Sequence, residues 1–416
     1  MEAGSYGYSL PVFPSHTPVN FATLLTGSYP KTHGIADGPM HVEGYELSSI
    51  STPGFRSLSR KVPAAWTIFE NAGKKVVVIT TPGSTPPEIE EGIIIRGRWG
   101  GWGADVQAVN YEKKKTGDDV VKPGNENKLF NVGAELTKYI SVSSPVNWFN
   151  APKSFSIPVV AELISYGHTL YAYIYDDSDD SKTNYNHIIF SSERNTKLAD
   201  LNQGEWRGWK SSQLSMSGKS FNSDINIYLI KLNDDGFFRI RVLYNNLNKY
   251  ITYPDYVAED LTKNIDPLTA FVDNFPPQLI YYPEDKKTFL DEMNLSFRWH
   301  KKSVSYIKNK YLPDVVIHDC YNPNQMLTSR WWMRSLDTAS IRYHDVSETE
   351  RAELWNEVLS MYQQLDSIIG EVLKNYNDST IFVFSSDHGI CVRNYSVLIN
   401  NIFAKDGLLK FTINDT

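Results

Sequence analysis

The sequence predicts an α/β fold with a mostly parallel central sheet, interrupted by an inserted antiparallel β-rich subdomain. Three observations predict it. Lys75–Thr80 reads KVVVIT, a continuous apolar run of the kind found in a parallel strand covered on both faces. Near the other end, Ser347-Glu348-Thr349-Glu350 forms a capping box ahead of Leu354, Val358, Met361, Leu365, Ile368, Ile369 and Val372 at helical spacing, and this helix delivers the chain to a strand-like run, TIFVFSS. Between them, residues 144–254 carry the short alternating runs HTLYAYIYD, NHIIFSS, INIYLIKL and FFRIRVLY, separated by Asp, Asn, Ser and Gly, as half-buried antiparallel strands are. The expected organisation is therefore a core over residues 1–143 and 255–416 with residues 144–254 inserted.

In chain order, Thr17 and Pro18 precede an apolar run ending at Thr26-Gly27, which marks a helix with a hydroxyl cap, a first-turn proline and a closing glycine. Val62–Ala72 reads as a second helix closed by Gly73, and residues 81–130 as loop, with a Gly/Trp cluster, RGRWGGWG, at 96–103. Helix signals return at Leu261–Asn274 and Lys286–Tyr311, and Pro313-Asp314 leads into the strand VVIHDCY.

Composition narrows the function classes. With 41% hydrophobic and 21% charged residues over 416 positions, the chain can bury a large core, and no apolar run is long enough to span a bilayer. A formal charge of -7 argues against binding a nucleic-acid backbone but leaves room for a small nucleotide in a locally positive pocket. Cys320 and Cys391 are the only cysteines, so no disulfide framework is implied and the compartment stays open.

Two stretches carry candidate chemistry. The hydroxyl of Thr17 sits at the positive end of its helix, where an N-cap is common and where a nucleophile attacking phosphate is also favoured. Asp387-His388-Gly389 follows the TIFVFSS run, so a carboxylate and an imidazole stand side by side where a sheet strand should end. They are either a divalent-cation site or a satisfied loop pair.

Together these stretches resemble the alkaline phosphatase superfamily, in particular its type I phosphodiesterase and nucleotide pyrophosphatase branch. The matching residues are Thr17, Asn20, Thr26-Gly27, Pro30 and His33-Gly34-Ile35, then Ser386-Asp387-His388-Gly389, Leu398-Ile399-Asn400 and Gly407-Leu408-Leu409. PAAWTIFENAGKKVVVI from Pro63, TPGSTPPEIEEGIII from Thr81 and LNQGEWRGW from Leu201 read like a subgroup of archaeal style with a β-rich insertion. The resemblance implies a three-layer alkaline-phosphatase-like sandwich and a hydrolase of phosphodiester or nucleotide pyrophosphate bonds. It would work through a phospho-threonine on Thr17, using one or two divalent ions, generally zinc, on a small phosphorylated substrate such as a nucleotide.

It also implies the roles. Thr17, Asp387 and His388 hold one metal, and Asn20 hydrogen-bonds a non-bridging phosphate oxygen. The second metal's aspartate and histidine fall on Met326 and Arg330, which cannot ligate it, so a degenerate second site is expected, with the Arg330 guanidinium as a replacement charge. His318, Asp319, Asp337, His344 and Asp345 are the nearby candidates for substitute ligands. The relatives' upstream strand with its aspartate ligand, and their late histidine, fall outside the 416 residues, so the sequence is expected to be shortened at both ends. A catalytically silent relative that binds an anion or a partner, and a sibling transferase or monoesterase, are the alternatives. A sulfatase is not, because Thr17 is followed by Pro-Val-Asn without the C/S-x-P-x-R signature.

Overall fold

The computed structural model describes residues 4–41, 44–46, 51–97, 102–114, 137–148, 150–194, 196–269, 283–329 and 331–410. Its strands are of the two kinds that the apolar patterning distinguishes. The continuous runs build a four-stranded sheet in the order β13 (Thr252–Tyr253), β2 (Ile93–Ile95), β1 (Val76–Ile79), β14 (Val315–His318). β1 pairs parallel with β2 and with β14, and β13 adds antiparallel to β2. Every residue of β1 and β2 is buried, as their unbroken Val/Ile composition requires, whereas all four residues of the edge strand β14 are only half-buried.

The alternating runs build two five-stranded sheets. One has the order β9 (Lys197–Leu201), β8 (His187–Ser191), β7 (His168–Tyr175), β6 (Val159–Ser165), β5 (Val142–Ser143). The other has the order β10 (Lys210–Met216), β11 (Lys219–Leu232), β12 (Phe238–Tyr244), β3 (Val109–Lys113), β4 (Thr137–Ile140). Leu163, Leu170, Ile174, Ile188 and Phe190 of the first share one core with Tyr111, Phe221, Ile227, Phe238 and Ile240 of the second, so the sheets pack face to face. Each such side chain contributes about 1.5–3 kcal/mol relative to exposure. The β-rich region thus begins at Val109, ahead of the Ser144 boundary expected above. In VNYEK only Val109 and Tyr111 alternate with polar residues, too short a run to stand out in a stretch that reads as loop.

Two long helices pack on one another, and the first also packs on the parallel sheet through Trp299, Ile307 and Tyr311. α4 (Pro283–Tyr311) runs into β14, and α6 (Glu348–Asn375) packs along α4 through Phe289, Met293 and Phe297 on one side and Leu354, Val358, Met361 and Ile368 on the other. Ser347 caps α6 by accepting the Glu350 N–H at 3.2 Å. α4 is also locked to the β-rich sheets by buried charge. Arg239 bonds Glu112 and Asp285, and Arg241 bonds Glu292 and, at 2.8 Å, Asn110. Burial pushes the Glu292 carboxyl up, against the pull of Arg241. Of the helix expected at Leu261–Asn274, residues 261–264 end α3 (Tyr256–Asn264), residues 265–269 are not helical, and residues 270–274 lie outside the described residues.

One expectation fails outright. The run TIFVFSS after α6 forms no strand, and Ile381, Phe382, Val383 and Phe384 are exposed at 91%, 43%, 77% and 64%. Among the described residues no strand lies alongside it, and β propensity without a neighbour does not make a sheet.

Candidate active site

The local sequence puts Thr17 inside α1 (Thr17–Thr26) rather than at its cap. His16 takes the cap position in extended backbone, Thr17 is the first helical residue, and Gly27 closes the helix at φ 63°, where a side chain would be strained. No side chain caps the amino end, so the Thr17 hydroxyl is not consumed by the helix. It is buried, and its Oγ1 lies 3.1 Å from His388 Nε2 and 3.4 Å from Tyr321 Oη.

His388 is held by its other nitrogen. Nδ1 donates to the Gly389 carbonyl at 2.9 Å, which assigns the proton of the neutral ring to Nδ1 and leaves the Nε2 lone pair facing Thr17. Asp387 Oδ2 lies 3.1 Å from that same Nε2, is buried and has no hydrogen-bond partner. Burial pushes the Asp387 carboxyl up, while His388 pulls the other way. In a hydrolase triad of the Ser-His-Asp type the carboxylate sits on Nδ1 and the hydroxyl on Nε2. Here both oxygens crowd one nitrogen. A hydroxyl, a carboxylate and an imidazole can together hold a divalent cation, and the Nδ1 contact to a backbone carbonyl is of the kind ligating histidines usually make.

The set is small. Among the described residues no group of three or more His, Cys, Asp and Glu side chains converges as a metal site, so the cluster offers two such residues and a hydroxyl. Met326, at the expected second-metal aspartate position, is fully buried in the core between α4 and α6. Arg330 lies outside the described residues. The other candidate ligands point to local partners: His318 to His300 at 2.8 Å, Asp337 to the Ala339 N–H and Asp345 to Arg342. Asp319 offers its carbonyl to the Thr80 hydroxyl at 2.7 Å, and His344 stacks edge-on with Tyr343.

Asn20 does not present its amide to the site in this conformation. Its Oδ1 accepts the Val12 N–H at 2.8 Å and its Nδ2 donates to the carbonyls of His16 and Pro14 at 3.0 and 3.3 Å. It pins the backbone that leads into Thr17. His33 is likewise structural. Its Nδ1 accepts the Ile35 N–H and its Nε2 donates to Thr23 Oγ1, with burial, then Arg60, pulling its pKa down. The His16–Asp37 pair, 2.6 Å apart beside Thr17, had no motif in the sequence to announce it. Tyr321 opens the segment that places Met326 and Arg330 at the second-metal positions, but nothing in the sequence assigned its hydroxyl a role at Thr17.

Comparison with known proteins adds one finding. The family model for type I phosphodiesterase / nucleotide pyrophosphatase matches residues 1–203, the part that carries Thr17 and Asn20. Over those residues the chain is similar to that family, which lies within the alkaline phosphatase superfamily. No curated protein and no solved structure matches it. The family consists of hydrolases that are usually metal-dependent and act on phosphorylated small molecules such as nucleotides. Among the described residues, no helix is long and apolar enough to cross a membrane. The match ends before Asp387 and His388, so their link to Thr17 rests on geometry.

Proposed function

We propose that this protein hydrolyses phosphodiester or nucleotide pyrophosphate bonds through a phospho-threonine formed on Thr17. The observation that carries the proposal is the meeting of Thr17 Oγ1 with His388 Nε2 at 3.1 Å, beside the unpaired Asp387 Oδ2, across 371 positions of sequence. Thr17, Asp387 and His388 would hold one divalent ion, zinc by the imidazole-carboxylate character of the set. Bound there, such an ion lowers the hydroxyl pKa and supplies positive charge to the phosphoryl oxygens.

The chain's own residues do the rest. Thr17 Oγ1 forms the bond to phosphorus as the P–O bond to the leaving alcohol or phosphate breaks, its proton passing through solvent to the leaving oxygen. Water then attacks phosphorus, the Thr17 Oγ1–P bond breaks, and one proton of that water returns to Thr17. The amino end of α1 faces the same region and favours the anion electrostatically. Tyr321 Oη is placed to donate to an oxygen near Thr17, and Asn20 holds Pro14 and His16 so that the hydroxyl stays in line.

Turnover of bis(4-nitrophenyl) phosphate in the presence of zinc tests this. Thr17→Ala should lower the rate by at least about 10³-fold, as removal of a covalent nucleophile does. Acid-quenched wild-type protein should carry its phosphate on Thr17 by mass spectrometry. A Thr17→Ala variant that turns over at the wild-type rate overturns the proposal.

A further inference from the structure

The segment that carries Asp387 and His388 has little to hold it. Between the end of α6 and the short helix Ile399–Lys405, residues 379–398 form neither helix nor strand, and none joins a hydrophobic cluster of the described residues. Asp387, His388, Ile390, Val392 and Asn394 are half-buried and the rest of the segment is exposed. The helix that follows buries none of its residues. Among the described residues, two side chains of the segment hydrogen-bond to the chain outside it. His388 reaches Thr17 at 3.1 Å. Asn394 reaches the loop at Ala339–Ile341, where its Nδ2 donates to the Ala339 carbonyl at 2.8 Å and its Oδ1 accepts the Ile341 N–H at 3.1 Å.

The loop that Asn394 grips is itself fixed. Asp337 accepts the Ala339 N–H through Oδ1 and the Ser340 N–H through its carbonyl, both at 2.9 Å, and Ser340 Oγ accepts the Arg342 N–H at 3.1 Å. Arg351 of α6 is buried beneath the loop. It donates to the carbonyls of Ser335 and Tyr343, and its guanidinium lies 3.9 Å from the centre of the Tyr343 ring. The loop therefore moves only with α6. A carbonyl and an N–H two residues apart are what a parallel strand offers its neighbour, and one side-chain amide takes both here.

We propose that Asn394 is a positioning residue for the candidate site: by clamping the segment to the Ala339–Ile341 loop it holds Asp387 and His388 against Thr17. The inference rests on the reading of Thr17, Asp387 and His388 as a cation site. Asn394 hydrogen-bonds to none of the three, so it acts through the backbone. With the clamp, the two ligands lie on a loop closed at one end by α6 and at the other by Asn394. Without it they lie on a chain tied only at α6, which samples many more positions and brings them to Thr17 at a lower effective concentration. The clamp thus orders the ligands before the cation arrives. Each of its two hydrogen bonds is worth about two- to tenfold in such an equilibrium.

The first test needs no metal. Nitroxide labels are placed on the exposed Cys391 and on Leu24→Cys, an exposed position of α1, in the full chain with Cys320→Ser as background. Pulsed dipolar spectroscopy on the metal-free protein should give a single narrow distance, and adding Asn394→Ala should at least about double its width. Equal widths overturn the proposal, whether or not the protein binds zinc. The second test is zinc titration. Asn394→Ala should bind zinc at least about tenfold more weakly than wild type. Asn394→Asp keeps the acceptor for the Ile341 N–H and should fall between them. The denaturation midpoint of the metal-free protein should stay near wild type in both variants, because Asn394 packs in no core cluster. Saturating zinc should restore turnover of bis(4-nitrophenyl) phosphate to Asn394→Ala but not to Thr17→Ala. Unchanged zinc affinity in Asn394→Ala overturns the proposal as well. A wild-type chain that binds no zinc removes the cation reading, and the label distances still decide the role of Asn394.

Discussion

Phe190 and Phe384 stand in runs of almost the same character, HIIFS and TIFVFSS, yet one is fully buried and the other is 64% exposed. Phe190 lies in β8, paired on both sides by β7 and β9 and covered by the facing sheet. The run holding Phe384 has neither a partner strand nor a covering layer among the described residues. The difference teaches that strand character in a sequence is a demand for neighbours, which only the tertiary structure can meet.

The comparison is broken most sharply by truncation. Phe190→Ala should cost about 3–5 kcal/mol in chemical denaturation, the usual range for a large aromatic removed from a packed core. A loss comparable to that of a surface site would mean that the two-sheet core is not packed as described. Next in size is the buried charge that ties the β-rich sheets to α4. Glu292→Gln leaves Arg241 buried without its counter-charge and should cost about 3–5 kcal/mol, by the same measurement.

A smaller effect follows from His33. Its pKa is held below the ordinary 6.5 in the folded protein, by burial first and by Arg60 second. The unfolded chain therefore takes up the proton first on acidification. The stability His33 contributes is fully present above about pH 6.5 and is lost as pH falls through its lowered folded value, at no more than about 1.4 kcal/mol per pH unit. Thermal melts between pH 7 and 5 should fall less steeply for His33→Gln than for the wild type. Smallest of all is Phe384→Ala, expected within about 0.5 kcal/mol of wild type while the run stays uncovered. A cost of core size there would show that residues 379–386 are covered in solution.

Much of this fold was legible in local pattern. KVVVIT gave β1, the capping box at Ser347 gave α6, and alternation gave β7, β8, β11 and β12. What escaped were features set by distant contacts. β3 is a strand because β12 and β4 flank it, although its own residues are mixed, and the ion pairs of Arg239 and Arg241 reach across 46 to 127 positions. At the site, the sequence marked Thr17, Asp387 and His388 but read Thr17 as a possible helix cap. Only the geometry separates these uses, by placing His16 at the cap and the hydroxyl against His388. Asn20 carried a motif whose expected ligand-binding amide is turned to backbone carbonyls, a distinction no spacing encodes.

Calorimetric titration with zinc tests the convergence of Thr17, Asp387 and His388 most directly, because it needs no substrate. The wild-type chain should bind a single ion with release of heat at the site, and Asp387→Asn and His388→Ala should each abolish that binding while leaving the denaturation midpoint of the metal-free protein nearly unchanged. Zinc bound equally well by all three proteins would contradict a shared cation at this hydroxyl.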